Sequence, residues 1–336
     1  MLEENQNQPT VTVSIITYNH EGYIAKALDS VLSQRGQFIM DIIIGEDGST
    51  DKTAEIVLEY QRRFPEIIKV IINDPKDKIY RNGKPTGIKN FLNNLNSCNG
   101  KYIALLDGDD YWISEDKLQK QIYFLENNPE FVGCCHRVEC VNERDERTGV
   151  HLEHEIIDND YKDFDMLQII KKNPIPSLSV VFRNSNFHSL PAWINTLEMM
   201  DWPLHIINAK RGKFRYFSET MGAYRVHSGG AWAEHRVNYA RLLEAEISVW
   251  ASLIQDGDFS EYYQHLKGLL NHHYTGLYKI YLREKKFKKS MEYISMFEKL
   301  NGGWGAGWAI RARMQIFRKF IKWKFSEIIK RVLSAA

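Results

Sequence analysis

Short β-branched runs alternate with helical periodicity through the first half of the chain, and each run ends in a polar cluster. V-T-V-S-I-I-T, Val11 to Thr17, is long enough for a strand and too short for a free-standing helix. Tyr23 to Ser33 then places Ile24, Ala27, Leu28, Val31 and Leu32 at helical spacing. Asp41 to Ile44 is a second β-branched run, closed by the turn-forming Asp47-Gly48-Ser49-Thr50. Ser49 or Thr50 is the expected N-cap of a helix reaching about Arg63, with Ile56, Val57 and Tyr60 inward. Ile67 to Ile72 is a third strand, and Lys101 to Leu106 a fourth that runs into Asp107-Gly108-Asp109-Asp110. This alternation predicts an α/β fold of right-handed βαβ units on a mostly parallel sheet. Ligands of such sheets bind outside the carboxyl ends of the strands. Tyr18-Asn19-His20, Glu46-Asp47-Gly48 and Asp107 to Asp110 all stand at those ends.

With 336 residues, the chain has room for one large domain and a smaller appendage. Strand signals vanish from about His235 to Leu300, where helical periodicity takes over, broken near Asp256-Gly257-Asp258. Asn301 to Gly307 reads as a Gly/Trp turn before a basic amphipathic stretch from Arg311 to Leu333. The expected organisation is a disordered segment 1–9, an α/β domain over 10–232 and a helical region over 233–336. A formal net charge of +1 speaks against a general nucleic-acid binder. Met1 to Thr10 lacks the basic and apolar regions of a signal peptide, and no apolar run approaches the ~18–20 residues of a membrane span. The expected compartment is therefore the cytoplasm. Cys134, Cys135, His136 and Cys140 read as buried, reduced thiols in an apolar strand rather than as a zinc site, because alternate strand residues diverge.

Carboxylates two apart at a strand end converge on one hard cation, and Gly108 lets the backbone approach it closely. A divalent ion held there with open positions suits a diphosphate and neutralises charge on a phosphate leaving group. The competing reading of Asp107 to Asp110 is an acidic turn capping a helix that starts near Ser114. Asp47, in the exit loop of the second strand, offers an acceptor for a nucleobase N–H or a ribose hydroxyl. Its alternative role is an Asx-turn into the next helix.

Three blocks carry a resemblance: V-S-I-I-T-Y-N-H (Val13 to His20), I-I-I-G-E-D-G-S-T-D (Ile42 to Asp51) and G-K-Y-I-A-L-L-D-G-D-D-Y-W (Gly100 to Trp112). In order and approximate spacing they resemble the family 2 inverting glycosyltransferases of the GT-A fold, over roughly residues 10 to 230. The resemblance implies a nucleotide-sugar donor, usually a UDP-sugar, and a Mn²⁺ or Mg²⁺ ion at the D-x-D. It implies further that Thr17, Tyr18 and Asn19 line the base and ribose, and that Asp47 pairs with uracil beside Glu46. Lys89-Asn90 would approach the nucleotide, with lysine supplying charge but not arginine's fork. Asp107 and Gly108 would face the ribose or metal region, and Asp109 would ligate the ion directly.

The family also uses a general base from a later segment. Glu198-Met199-Met200-Asp201-Trp202 fits, with Asp201 preferred, Glu198 the alternative, and helix capping before Pro203 the competing role of Asp201. Tyr224 to Gly230 resembles a loop closing over the diphosphate, in which His227 would complete the metal's coordination and Arg225 would fork phosphate oxygens. The acceptor is expected to be a carbohydrate or a lipid-linked molecule. For 311–333 three readings stay open: a solvated helix on its own domain, a helix on an anionic membrane surface, or a partner-binding helix. Two rival functions are a nucleotidyltransferase, disfavoured by the Gly-poor loop Tyr18 to Gly22, and an inactive glycosyltransferase-like scaffold.

Overall fold

A computed structural model describes residues 10–81, 84–150, 161–185, 187, 190–230, 238–303 and 306–335. The chain forms two compact units, Met1–Gly230 and Ala231–Ala336.

In the first unit, β1 (Val11–Thr17) lies between β2 (Met40–Glu46) and β6 (Tyr102–Asp107), parallel to both, and β3 (Ile68–Ile72) extends the parallel set beyond β2. Helices α1 (Ile24–Leu32) and α2 (Thr53–Arg63) make the crossovers on this side. Ile24, Ala27, Leu28 and Val31 of α1 bury their stripe in one core with Val13, Ile15, Ile42, Ile44, Ala104 and Leu106 of the sheet. Each such side chain contributes roughly 1.5–3 kcal/mol when fully buried. Thr17 pairs with Glu46 and Ile16 with Asp107 across the ladder. Three strand exits are thereby fixed at one sheet edge.

Helix α2 starts at Thr53, later than the expected Ser49 or Thr50 cap, and its N-cap Lys52 makes no side-chain bond to the helix. Ser49 and Thr50 bond instead to Asn19 of the neighbouring exit loop. After β3, the hairpin of β4 (Ile79–Arg81) and β5 (Lys84–Thr86) leads to α3 (Ile88–Ser97) and then to β6. Part of the segment Asn82-Gly83 to Asn90 lies outside the described residues.

The other half of the sheet is mixed. Two-residue β7 (Tyr111–Trp112) follows the acidic turn, and α4 (Lys117–Asn127) begins three residues later than expected. Beyond it run β8 (Phe131–Val141), β9 (Arg147–Val150), β10 (Tyr161–Phe164), α5 (Met166–Lys171), β11 (Val181–Arg183), α6 (Asp201–Ala209) and β12 (Lys213–Arg225). Ten of the described strands form one sheet, along the path β10-β12-β8-β11-β6-β1-β2-β3, with β7 paired to β12 and β9 to β8. Strand β11 runs antiparallel to both β6 and β8. Cys134 and Cys135 of β8 are free, buried thiols, and burial pushes Cys134 up to about 12.

The second unit is helical: α7 (Tyr239–Leu253), α8 (Tyr263–Arg283), α9 (Phe287–Leu300) and α10 (Ala306–Ala335). A 3₁₀ turn, Gly257–Tyr262, fills the expected break, and Trp304 and Gly305 of the Gly/Trp turn lie outside the described residues. The Glu244 carboxylate accepts from the Tyr281 and Tyr293 hydroxyls at 2.6 and 2.8 Å, a polar tie inside the bundle. Helix α10 carries apolar side chains on both a buried and an exposed side. Ala309, Ala312 and Ile316 are buried, and Phe320 and Trp323 pack on Phe287, whereas Phe317 and Phe325 are each 63% exposed. No helix among the described residues is long and apolar enough to cross a membrane.

Candidate active site

The exit loops of β1 and β2 are tied into one scaffold. Asn19 takes a left-handed conformation (φ 55°), donates its backbone N–H to Ser49 Oγ at 2.9 Å and accepts from Thr50 N at 2.8 Å. An Asn tolerates that backbone because its short amide finds partners nearby. The next residue, His20, donates its N–H to Thr53 Oγ1 at 2.8 Å, and Thr53 Oγ1 donates to Asp51. The carboxylate of Glu46 accepts from Gly48 N and Ser49 N at 3.0 and 2.7 Å, and the residue is buried. Glu46 and Asn19 thus hold the loops in shape through their side chains.

Lys78 engages both Asp47 and Tyr18. Lys78 Nζ lies 3.4 Å from Asp47 Oδ2 and 3.6 Å from the centre of the Tyr18 ring. Burial raises Asp47 above the usual carboxylate range, with the Lys78 charge opposing that shift. Sequence reasoning overlooked Lys78, which follows a short 3₁₀ turn, Pro75–Asp77, in an otherwise polar connection. Asn90 is engaged elsewhere. Its amide donates to the Gly45 carbonyl at 2.8 Å and accepts from Asn73, leaving it 2% exposed under the sheet. Through these bonds Asn90, expected near the nucleotide, fastens α3 to β2. Its neighbour Lys89 is half-buried on α3.

The acidic turn is the second focus. Gly108 donates its N–H to the Ile16 carbonyl, and a Cβ there would sit 2.6 Å from Thr17 Oγ1 and 3.0 Å from His20 Nδ1. Only glycine lets the turn close against β1. Asp109 Oδ2 lies 2.9 Å from His227 Nε2 and 3.7 Å from His20 Nε2. Thr17 Oγ1 stands 3.2 Å from His20 Nδ1, on the other side of that ring. His227 reaches this place because β12 pairs antiparallel with β7, Ala223 opposite Tyr111, and Val226 N bonds to the Val141 carbonyl. Burial raises Asp109, but the hydrogen bond from His227 and the charges of His20 and His227 outweigh it, and the net shift is downward. Burial lowers His20, with the charge of Asp109 pulling the other way.

Asp107 is pushed up to about 8 by burial, with Asp109 and Asp201 adding like charge. Burial likewise raises Asp110, whose Oδ2 is buried without a hydrogen-bond partner among the described residues. Clustered carboxylates of this kind gain from a cation. Asp109, His20 and His227 each offer one ligand atom, all within 4.8 Å of one another. The donor set therefore fits a divalent ion.

Arg225 does not reach into this space. It is 3% exposed, with Nε donating to the Asp109 carbonyl at 2.8 Å, NH1 2.6 Å from Asp145 Oδ1 and its backbone N–H on Asp110 Oδ1 at 2.7 Å. Its guanidinium also covers the Tyr23 ring at 4.5 Å. In this structure the guanidinium is a buried strut under the acidic turn.

Asp201 is the first residue of α6, and its Oδ2 accepts from Asn173 Nδ2 at 3.1 Å and Ser177 Oγ at 3.2 Å. Burial raises it above the usual carboxylate range, against these bonds. Its charge adds to the upward push on Asp107 of the acidic turn. The α6 N-cap position is Met200, and the Asp201 carboxylate also takes a backbone hydrogen bond from Trp202 in the first turn of α6. Glu198 is half-buried in the non-helical segment just before.

Residues 12–187, just over half the chain, match the family model described as glycosyl transferase family 2. An uncharacterized protein of Mycobacterium tuberculosis strain H37Rv is 31% identical over 229 residues, covering 66% of this chain and 60% of that protein. TuaG of Bacillus subtilis, named as a teichuronic acid biosynthesis glycosyltransferase, is 32% identical over 118 residues, 35% of this chain and 42% of that one. The chain thus spans less than two thirds of the length of these curated relatives. Among solved structures, Staphylococcus aureus TarS 1-349 in complex with UDP-GlcNAc superposes with a TM-score of 0.62 at 17% identity, over 93% of this chain and 89% of that one. The mannosyltransferase PcManGT from Pyrobaculum calidifontis, in complex with GDP-Man and Mn²⁺, gives 0.54 at 15% identity, over 94% and 87%. At such identities the likeness carries the fold, which is the GT-A-like architecture of a mostly parallel sheet followed by helices. By the match over residues 12–187, the chain is a member of glycosyl transferase family 2.

Proposed function

We propose that the chain transfers a sugar from a UDP-sugar to an acceptor hydroxyl with inversion, in the synthesis of a surface polysaccharide or glycoconjugate. The observation that carries this reading is the convergence of three strand exits at one sheet edge, where Lys78 engages both Asp47 and Tyr18, His227 engages Asp109, and Asp107 feels the charge of Asp201. Tyr18 offers a ring for the base to stack on, Asp47 accepts the base N–H, and Lys78 stands ready to donate to a base carbonyl. Asp107, Asp109 and His227 would hold a Mn²⁺ or Mg²⁺ ion, which supplies charge neutralisation at the diphosphate. Asp201 takes the acceptor proton as the acceptor oxygen attacks the anomeric carbon from the face opposite the diphosphate. The bond from that carbon to the diphosphate oxygen breaks, and its electron pair leaves with the nucleotide. TarS, solved with UDP-GlcNAc, and PcManGT, solved with GDP-Man and Mn²⁺, support a nucleotide-sugar donor and a metal. The name of TuaG supports a polysaccharide product.

The acceptor in this reading is a carbohydrate or a lipid-linked molecule, and α10 would rest on an anionic membrane surface. Ile310, Met314, Phe317, Ile321 and Phe325 form an exposed apolar stripe on that helix, and 311–333 holds eight basic side chains against the single acid Glu327. A panel of nucleotide sugars, incubated with the protein and Mn²⁺ while nucleotide release is followed, tests the donor assignment. UDP release from one UDP-sugar, lost in Asp109→Asn, is expected. Release from no donor by well-folded protein would end the reading.

A further inference from the structure

We propose that His20 is a further protein ligand to the ion, and that His20, Asp109 and His227 together form a site selecting a first-row transition ion over Mg²⁺ before any nucleotide arrives. The inference rests on the reading of Asp109 and His227 as metal ligands given above. Its basis is the geometry around His20, a residue that the strand-end position alone did not single out.

Both imidazoles present Nε2 to the same carboxylate oxygen, at 2.9 and 3.7 Å from Asp109 Oδ2. Two donors each about 2.1 Å from one ion, at tetrahedral or octahedral angles, stand roughly 3.0–3.5 Å apart. The observed separations bracket that range. The ring of His20 is also held in place from behind. Thr17 Oγ1 engages its Nδ1 at 3.2 Å, leaving Nε2 for the site, the arrangement by which outer partners orient metal-bound imidazoles. The backbone N–H of His20 is held by Thr53, and the preceding Asn19 is pinned at positive φ by Ser49 and Thr50. Tyr23 packs 5.1 Å from the His227 ring and 6.4 Å from that of His20. A preformed set of three donors binds an ion without a nucleotide to complete it. Two imidazoles and one carboxylate favour the softer first-row ions, while Mg²⁺ prefers an all-oxygen shell and gives up its water reluctantly.

The test uses the full chain without nucleotide and reads the loss of the free Mn²⁺ signal by electron paramagnetic resonance. The wild type is expected to bind one Mn²⁺, with a large excess of Mg²⁺ failing to displace it. His20→Ala is expected to weaken Mn²⁺ binding on the order of tenfold or more. His20→Gln, which keeps the size and one oxygen donor, guards against a folding defect, and circular dichroism checks both variants. Unchanged Mn²⁺ affinity in folded His20 variants, or ready displacement by Mg²⁺, would overturn the proposal. Failure of the donor reading shows differently: His20-dependent Mn²⁺ binding would persist while no nucleotide sugar is turned over.

Discussion

Arg225 Nε donates to the backbone carbonyl of Asp109 at 2.8 Å, across 116 residues of chain. The same residue's N–H bonds to Asp110, and its NH1 bonds to the Asn142 carbonyl and pairs with Asp145. One guanidinium thereby fixes the acidic turn against the loop after β8. Removing it strands buried acceptors, and bonds to charged groups are worth about 1.5–3 kcal/mol each. Arg225→Met should lose about 2–4 kcal/mol of stability, read from the denaturant midpoint. Arg225→Lys should recover little of that loss, because an ammonium cannot span the Asp109 and Asn142 carbonyls as the planar fork does. A variant as stable as wild type would show that the strut contributes nothing.

Lys117 predicts a pH dependence of stability. It is fully buried, its Nζ has no hydrogen-bond partner among the described residues, and the Trp112 ring centre lies 4.0 Å from it. Burial pushes the ammonium down to about 7 from an ordinary 10.5. Between those values the unfolded chain binds more protons than the folded one, so this group makes stability rise with pH. Lys117→Met should abolish the rise and add on the order of 1–3 kcal/mol at pH 7, the Trp112 face having offset part of the cost in wild type. Subtracting variant from wild-type denaturation curves between pH 6.5 and 8 isolates the effect from the neighbouring thiols. A difference that stays flat across this range would mean that Lys117 remains charged when folded.

The parallel half of the sheet was legible because each strand is a β-branched run bounded by turns and crossed by a periodic helix. That is why Thr17, Glu46 and Asp107 could be set at one edge from sequence. The mixed half was not legible. β12 carries register shifts between Phe217 and Thr220 and between Thr220 and Gly222, which break the period of two that marks a strand. With β12 unread, the pairing that brings His227 to Asp109 followed only from resemblance. The contacts of Arg225 and Asn90 were not legible for one reason: spacing gives the side of the sheet on which a residue lies, whereas the direction of its side chain is set by partners distant in sequence. Lys78 and His20 gave no periodic signal at all, since both sit in short loops whose shape comes from cross-loop bonds.

The stripe on α10 gives a measurable contrast. Phe317 and Phe325, each 63% exposed, would insert at an acyl boundary while Arg318, Lys322 and Lys324 meet anionic headgroups. Wild type should sediment with vesicles containing phosphatidylglycerol and far less with phosphatidylcholine alone. The double change Phe317→Glu and Phe325→Glu should reduce the anionic-vesicle fraction several-fold without altering nucleotide-sugar turnover on a soluble acceptor. Equal sedimentation of both proteins would return the stripe to a merely solvated face.

Asp201 is the sharpest test of the proposed chemistry. The departing diphosphate would be assisted by the ion and its ligands, while the acceptor hydroxyl needs a base to become a competent nucleophile. Asp201 suits that task on two counts: its Oδ2 is steadied by Asn173 and Ser177, and burial raises its basicity above that of an ordinary carboxylate. Its hydrogen-bond partners, Asn173 and Ser177, are separate from the Asp47, Lys78 and Tyr18 group, so its loss should leave that group's contacts untouched. Asp201→Asn keeps the shape of the side chain and removes the basic oxygen. Its kcat should fall by roughly 10²–10⁴-fold with UDP affinity nearly unchanged, since the interaction lost is made to the acceptor in the transition state. Asp109→Asn should behave in the opposite sense, losing metal-dependent UDP affinity together with turnover. Glu198→Gln serves as the internal comparison, three residues away and outside α6. If Glu198→Gln loses turnover while Asp201→Asn keeps it, the base is Glu198. If both variants turn over normally, the proton leaves by a group outside this segment, and the Asn173, Ser177 and Asp201 cluster serves only to seat α6.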